Sequence, residues 1–221
     1  MSSTNADKLI SAVTAASRHH NNVHMRAILP RFQAVAILGR KGLSIQYLQN
    51  YYQVQMRLSE IKTTRKWGRL IHICGQSKQM AEVWRSCLEP ILREEEDHTG
   101  KIGVNFVLPE SMIELLLYHP EDSFASITRQ TNTEITIKSS VLPRSTERLV
   151  FICVPGKDQV DEFSKAVSLL SHYLEKYARY ALSFPNTKFY VQEADDFDSL
   201  EQAVLRQSPN DVILQGGCRV K

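Results

Sequence analysis

Cysteine is scarce in this chain, and the spacing that gives it chemistry is missing. The four residues, Cys74, Cys87, Cys153 and Cys218, include no CxxC pair, which argues against zinc-finger and dithiol redox layouts and fits a reducing compartment. Cys74 and Cys153 sit in apolar runs and are expected to act as small strand hydrophobes. No apolar run approaches the roughly 20 residues needed to span a bilayer, and the first residues lack the basic-then-apolar order of a secretory signal. An intracellular protein, nuclear or cytoplasmic, with no membrane contact is the expectation. A Gly-x-Ser-x-Gly elbow, a Walker loop and a His-Glu-x-x-His pattern are also missing, so the chain reads as a non-enzyme without a cofactor. His20 and His24 stand four apart, but Asn21-Asn22 ends any helix there and no Cys or paired carboxylate completes a metal site.

What is present is an ordinary globular composition, 221 residues with 43% hydrophobic and 23% charged, enough for one sizeable core or two small ones. The formal charge of +3 is too mild to name a partner, but it is unevenly spread. Between His24 and Gly75, nine Lys or Arg (Arg26, Arg31, Arg40, Lys41, Arg57, Lys62, Arg65, Lys66 and Arg69) stand against one acid, Glu60, a net of +8. From Gly103 to Gly156, four bases stand against six acids, a net of −2. The two stretches must meet a phosphate backbone very differently.

They are nonetheless copies. An offset of 79 residues places Leu29-Pro30 on Leu108-Pro109, Met56 and Leu58 on Ile135 and Ile137, and Arg69 to Cys74 on Arg148 to Cys153, without a gap. In the first copy a short apolar strand, Met25 to Leu29, stops at Pro30. Helical spacing follows from Phe32 to Leu38, then a four-residue turn, then a second helix with a broad apolar face of Leu43, Ile45, Tyr47, Leu48 and Tyr51. Val54, Met56 and Leu58 alternate with polar residues as a half-buried strand does, and Leu70 to Cys74 supplies another. An amphipathic helix from Gln76 to Glu95 closes the unit, with Pro90 expected to kink it or start a new turn. The second copy repeats the order, with strands near 104–108, 134–138 and 149–154 and a final helix from about 157 to 180. An N-terminal helix near Ala6 to Ser17 precedes the copies. A C-terminal piece contains Phe189-Tyr190-Val191 and a helix opening at Asp195 or Asp196, with Asp195, Asp196 and Asp198 read as its cap.

The turn between the two short helices of the first copy is Gly39-Arg40-Lys41-Gly42. Glycines allow tight backbone there and leave no side chain in the path of a polyanion, while the next helix points its N-terminus at the same place. With Ile28-Leu29-Pro30 before it, Ala34 to Leu38 leading in, and Ile45, Leu48 and Met56 to Glu60 following, the stretch resembles the eukaryotic type of K-homology (KH) domain. The resemblance covers about residues 24–95 and, more weakly, 103–180. It implies an α+β fold of two KH-type units, each a three-stranded antiparallel sheet on three helices, with extra N- and C-terminal helical segments. The implied divisions are 1–22, 23–97, 101–182 and 183–221.

The resemblance further implies that Gly39, Arg40, Lys41 and Gly42 hold the phosphates of a single-stranded RNA of about four nucleotides. Val35, Ala36, Leu38, Leu43 and Ile45 then line the apolar side of a groove, some of them filling the core instead, and Met56, Arg57 and Leu58 form the opposite wall. Arg57 is the base-specific contact. Arg65 and Lys66, with Lys62 and Trp67, lie on a loop that either closes over RNA or is simply solvated. Two positions depart from the family pattern: Val35 stands where a small residue is preferred, and Tyr52-Gln53 stands where a Gly-containing turn precedes the strand.

In the second copy the turn becomes Tyr118-His119-Pro120-Glu121, followed by Asp122. Glycines and cations are gone, Pro120 lacks an amide proton and Glu121 repels phosphate. One RNA cleft is expected in the protein, in the handling of pre-mRNA or mRNA by splicing, transport, stability or translation control. The second copy and the terminal helices would offer packing or protein contacts, with self-association possible. An alternative for the second copy is base binding through its strand wall with charge from Lys138, Arg144 and Arg148. For the whole chain the alternatives are a protein-interaction scaffold and a single-stranded DNA binder.

Overall fold

The computed structural model describes residues 22–59, 67–94, 101–182, 184–193, 196–215 and 218–220. The fold is α+β. In chain order the elements are β1 (Asn22–Pro30), α1 (Arg31–Leu38), α2 (Leu43–Tyr52), β2 (Gln55–Leu58), β3 (Trp67–Gln76), α3 (Ser77–Glu94), β4 (Ile102–Pro109), α4 (Glu110–Tyr118), α5 (Phe124–Thr131), β5 (Glu134–Val141), β6 (Glu147–Val154), α6 (Val160–Leu182), α7 (Phe197–Leu205), β7 (Val212–Gln215) and β8 (Cys218–Val220). The β-α-α-β-β-α order therefore occurs twice. Pro30 and Pro109 occupy the same junction in each: both end a strand and, at φ −62° and −61°, stand immediately before a helix. Proline's fixed φ suits that place and its missing amide costs the ladder nothing at a strand end.

All strands among the described residues join one eight-stranded sheet in the order β2-β3-β1-β4-β6-β5-β7-β8. A three-stranded sheet was expected in each unit, which leaves open how the two meet. Here β1 and β4, the outer strands of the two units, pair antiparallel at Arg26–Ile28 and Asn105–Val107, so neither leaves a bare row of amides and carbonyls to solvent. The C-terminal segment, expected to be helical, also contributes β7, which extends the sheet by pairing with β5. The N-terminal helix near Ala6 to Ser17 falls outside the described residues.

One face of the sheet is covered by the first six helices. Alternation along β1 sends Val23, Met25, Ala27 and Leu29 to that side, where they join Ile71, Ile73, Phe106, Ile135 and Ile152 under Ile37, Trp84, Ile113, Phe124 and Phe163 in a single core. The core crosses the boundary between the units: Trp84 of α3 meets Phe106 of β4 edge to face, ring centroids 5.0 Å apart. Helices α3 and α6 pack together, and the Ser171 hydroxyl donates to the Ser77 carbonyl at 3.1 Å. Helix α3 runs on as one helix through Pro90 to Glu94; its face of Met80, Val83, Trp84, Cys87 and Leu88 is fully buried, and that packing precedes the proline. Cys153 is buried in β6 as expected and Cys74 is half-buried in β3. Burial pushes the thiols of Cys87 and Cys153 up to about 12, so both stay protonated at neutral pH.

Among the described residues the opposite face of the sheet is covered only in part. Ile28, Val107, Leu142 and Leu149 pack there against Tyr190 and Leu200 from the C-terminal segment. No helix among the described residues is long and apolar enough to cross a membrane.

Candidate nucleic-acid interface

Helix α1 stops because Gly39 adopts φ 67°, ψ −175°, a conformation that side-chain-bearing residues avoid. Its amide still donates to the Val35 carbonyl at 2.9 Å. Lys41 (φ 54°, ψ 25°) and Gly42 (φ 78°, ψ 11°) follow in the left-handed region. A lysine there costs roughly 1–2 kcal/mol, and such local strain is a frequent mark of ligand clamps. A Cβ on Gly39 would lie 2.0 Å from the Ser44 Oγ and 2.6 Å from its Cβ, so the turn is folded tightly onto the first residues of α2. No side chain caps the N-terminus of α2, and the side chains of Arg40 and Lys41 are exposed. Neither forms an ion pair among the described residues, and neither α1 nor α2 contains an acid. The positive end of a helix dipole that no side chain caps and two exposed cations thus share one place.

The residues expected to line the groove divide by burial. Val35 and Leu43 are 59% and 62% exposed, and Ala36 and Leu38 are half-buried. Ile45 and Met56 face the core at 9% and 5% exposure and are not available to a ligand, a correction that follows from the helix and strand periods placing them beside Leu48 and Ile73. Leu58 is half-buried on the same side as Met56. Arg57 is exposed on the other side of β2, opposite His72 of β3; since β2 is an edge strand, it remains open to solvent. Arg65 and Lys66 lie outside the described residues.

The corresponding turn of the second unit is closed on itself. The amides of Glu121 and Asp122 donate to His119 Nδ1 at 3.3 and 3.0 Å, and the Ser123 hydroxyl accepts from the Ser126 amide, capping α5. On the far side of the ring, His119 Nε2 is 2.9 Å from the Tyr177 hydroxyl, which donates to Asp122 at 2.7 Å, and Lys176 pairs with Asp122 at 2.6 Å. The Lys176 ammonium and Tyr177 hydroxyl hold the Asp122 carboxyl below its ordinary range. Donors that could meet a phosphate are thereby used internally. The three cations considered for base binding in this unit are occupied as well: Lys138 is buried and pairs with Asp211 at 3.4 Å, Arg144 with Asp196 at 2.7 Å, and Arg148 with Glu110 at 3.7 Å.

Two features had no counterpart in the sequence reading. His24 and His72 stack at 5.2 Å on the sheet face opposite the helices, with Nδ1 of one 3.0 Å from Nε2 of the other. Burial, then His24, Arg26 and Arg57, push His72 down to about 4. His24 lies on β1, His20 lies outside the described residues, and among the described residues no three His, Cys, Asp or Glu are placed to hold a metal. The second feature is on α2, where the broad apolar face divides. Ile45 and Leu48 enter the core, while Leu43, Tyr47 and Tyr51 remain 62%, 61% and 65% exposed. A signal for this was present in the repeat: the positions of Ile45 and Leu48 are apolar again as Phe124 and Ile127, whereas those of Tyr47 and Tyr51 become Ser126 and Gln130. The expected cap at Asp196 is also different, because its buried carboxylate meets Arg144, Tyr190 and the Glu193 amide instead of capping α7.

The chain matches no protein-family model and no curated protein.

Proposed function

We propose that this is a tandem KH-type protein that binds single-stranded RNA, selectively for sequence, through its first unit alone. The observation that carries the reading is the Gly39-Arg40-Lys41-Gly42 turn: left-handed backbone, two exposed cations and an uncapped helix N-terminus, with no acid on either flanking helix. Double-stranded nucleic acid is a poor fit to a small clamp of this kind, which suits the splayed phosphates of a single strand. The half-buried Leu38 and the exposed Val35 and Leu43 supply apolar surface for bases beside it, and Arg57 supplies hydrogen-bond donors at the strand edge. The second unit, with its turn self-bonded, serves to pack and to present surface to protein partners. A role in the processing, transport, stability or translation of mRNA follows from the KH reading.

The test replaces Arg40 and Lys41 with Asp. Binding of short single-stranded RNA should be lost while the circular dichroism spectrum is unchanged; an unaltered affinity would sink the assignment. Losing two phosphate contacts should also flatten the dependence of log affinity on log salt by about 1.4 for a single strand, a change best read from the milder Arg40→Gln, Lys41→Gln pair. Matched RNA and DNA oligomers separate the two polymers, and a clear preference for DNA would overturn the choice of RNA.

A further inference from the structure

Leu43, Tyr47 and Tyr51 recur every four residues and so form one stripe along α2, beginning immediately after the Gly39 to Gly42 turn. Burying such a side chain ordinarily contributes about 2 kcal/mol, yet all three are left more than 60% exposed. The rings are held in place. Tyr47 and Tyr51 lie near-parallel, centroids 5.6 Å apart and planes 19° apart. Tyr51 rests edge-on against Tyr52 at 4.9 Å, and the Tyr52 hydroxyl is fixed to Ser86 of α3 at 2.7 Å.

The rest of the helix is uncharged, with Gln46, Gln49, Asn50 and no carboxylate, while Arg40 and Lys41 stand at its head. That balance suits a polyanion with flat apolar groups better than it suits a protein surface carrying its own cations. The second unit offers an internal comparison. Where the clamp has been lost, the stripe positions are Asp122, Ser126 and Gln130, and the last two hydrogen-bond each other at 2.9 Å. Clamp and stripe are present together or absent together, although the core positions between them stay apolar.

We propose that the RNA strand held at Arg40-Lys41 continues along α2, with bases stacking on Tyr47 and Tyr51. This rests on the reading of the turn as an RNA clamp. From Leu43 to Tyr51 the helix spans about 12 Å, room for on the order of two nucleotides beyond those the clamp holds. Stacking is tolerant of base identity, so the stripe adds affinity and footprint, and selectivity stays with the groove.

The experiment titrates the full chain with fluorescein-labelled random-sequence RNA of four and of ten nucleotides. The longer pool gains about sevenfold from extra registers alone; the wild-type chain should gain at least about tenfold more than that. Tyr47→Ala with Tyr51→Ala should remove the excess and leave the four-nucleotide affinity alone, and Tyr47→Phe with Tyr51→Phe should restore it. If the wild-type chain binds neither pool, the clamp reading falls and this inference with it. If it binds the short pool and the alanine pair keeps the full length gain, the inference alone is overturned. Loss of self-association by the alanine pair in sedimentation, with RNA affinity unchanged, would likewise overturn it and assign the stripe to a second copy of the chain.

Discussion

Arg26 of β1 and Glu147 of β6 form a part-buried ion pair across 121 residues of chain. Each belongs to a different repeat, and the C-terminal segment closes over them both: the Arg26 guanidinium donates to the Tyr190 carbonyl at 3.1 Å, and the Tyr190 amide donates to Glu147 at 2.6 Å. Glu147 has no exposure. Burial raises its carboxyl, opposed by the Arg26 charge and the Tyr190 amide. Glu147→Ala removes the partner of a part-buried guanidinium and the acceptor of the Tyr190 amide, and should lower the unfolding free energy by about 2 kcal/mol. Urea denaturation measures it, and a loss below about 1 kcal/mol would show the pair to be incidental.

The two clamp glycines should differ. Gly39→Ala places a Cβ against Ser44 at positive φ, so backbone and the start of α2 must both shift; Gly42→Ala meets only Leu38 and Ile45 side chains at 3.9 and 4.0 Å and bears the left-handed strain alone. Gly42→Ala should cost about 1–2 kcal/mol, and Gly39→Ala more, with a larger loss of RNA affinity. Thermal melts and anisotropy titrations rank them, and equal effects would argue that Ser44 does not hold the turn.

How much of this was legible can be judged at particular residues. Pro30 and Pro109, the alternation of Met56 and Leu58, and the 79-residue offset gave element order directly, because each is a local constraint on backbone or a period. The pairing of β1 with β4 was not legible, since Arg26 to Ile28 and Asn105 to Val107 read as strands in any partnership. Nor was the placement of Tyr190 over Ile28, which depends on where a distant segment returns. At the candidate site the turn and its cations were plain from composition. Which apolar residues face solvent was not, because Tyr47 and Ile45 look alike to a hydrophobic period and only the comparison with Ser126 and Phe124 separates them.

His119 explains why the second unit keeps its shape after losing the glycines. Its Nδ1 accepts two backbone amides while its Nε2 side meets Tyr177, fixing the turn to α6. His119→Ala should destabilise the protein by about 1–2 kcal/mol and leave RNA affinity unchanged, since Pro120 still lacks an amide proton and Glu121 and Asp122 still repel phosphate. His119→Asn, which keeps an acceptor near the Asp122 amide, should recover part of the loss. An RNA affinity gained by His119→Ala would mean that the ring, and not the acids, is what silences this turn.

The stacked His24–His72 pair gives the protein an acid sensitivity with a definite sign. In the folded chain His72 accepts a proton only near pH 4, from burial and then the charges of His24, Arg26 and Arg57, against 6.5 for the unfolded residue; burial and Arg26 lower His24 as well. Between pH 6.5 and about 4 the unfolded chain therefore binds more protons, so stability present above 6.5 declines as pH falls through that window and is fully lost below it. His72→Phe keeps a ring to stack on His24 and removes this titration. Its urea midpoint should fall less than that of the wild-type chain between neutral pH and about pH 4. Parallel declines in the two proteins would show that other groups carry the acid response.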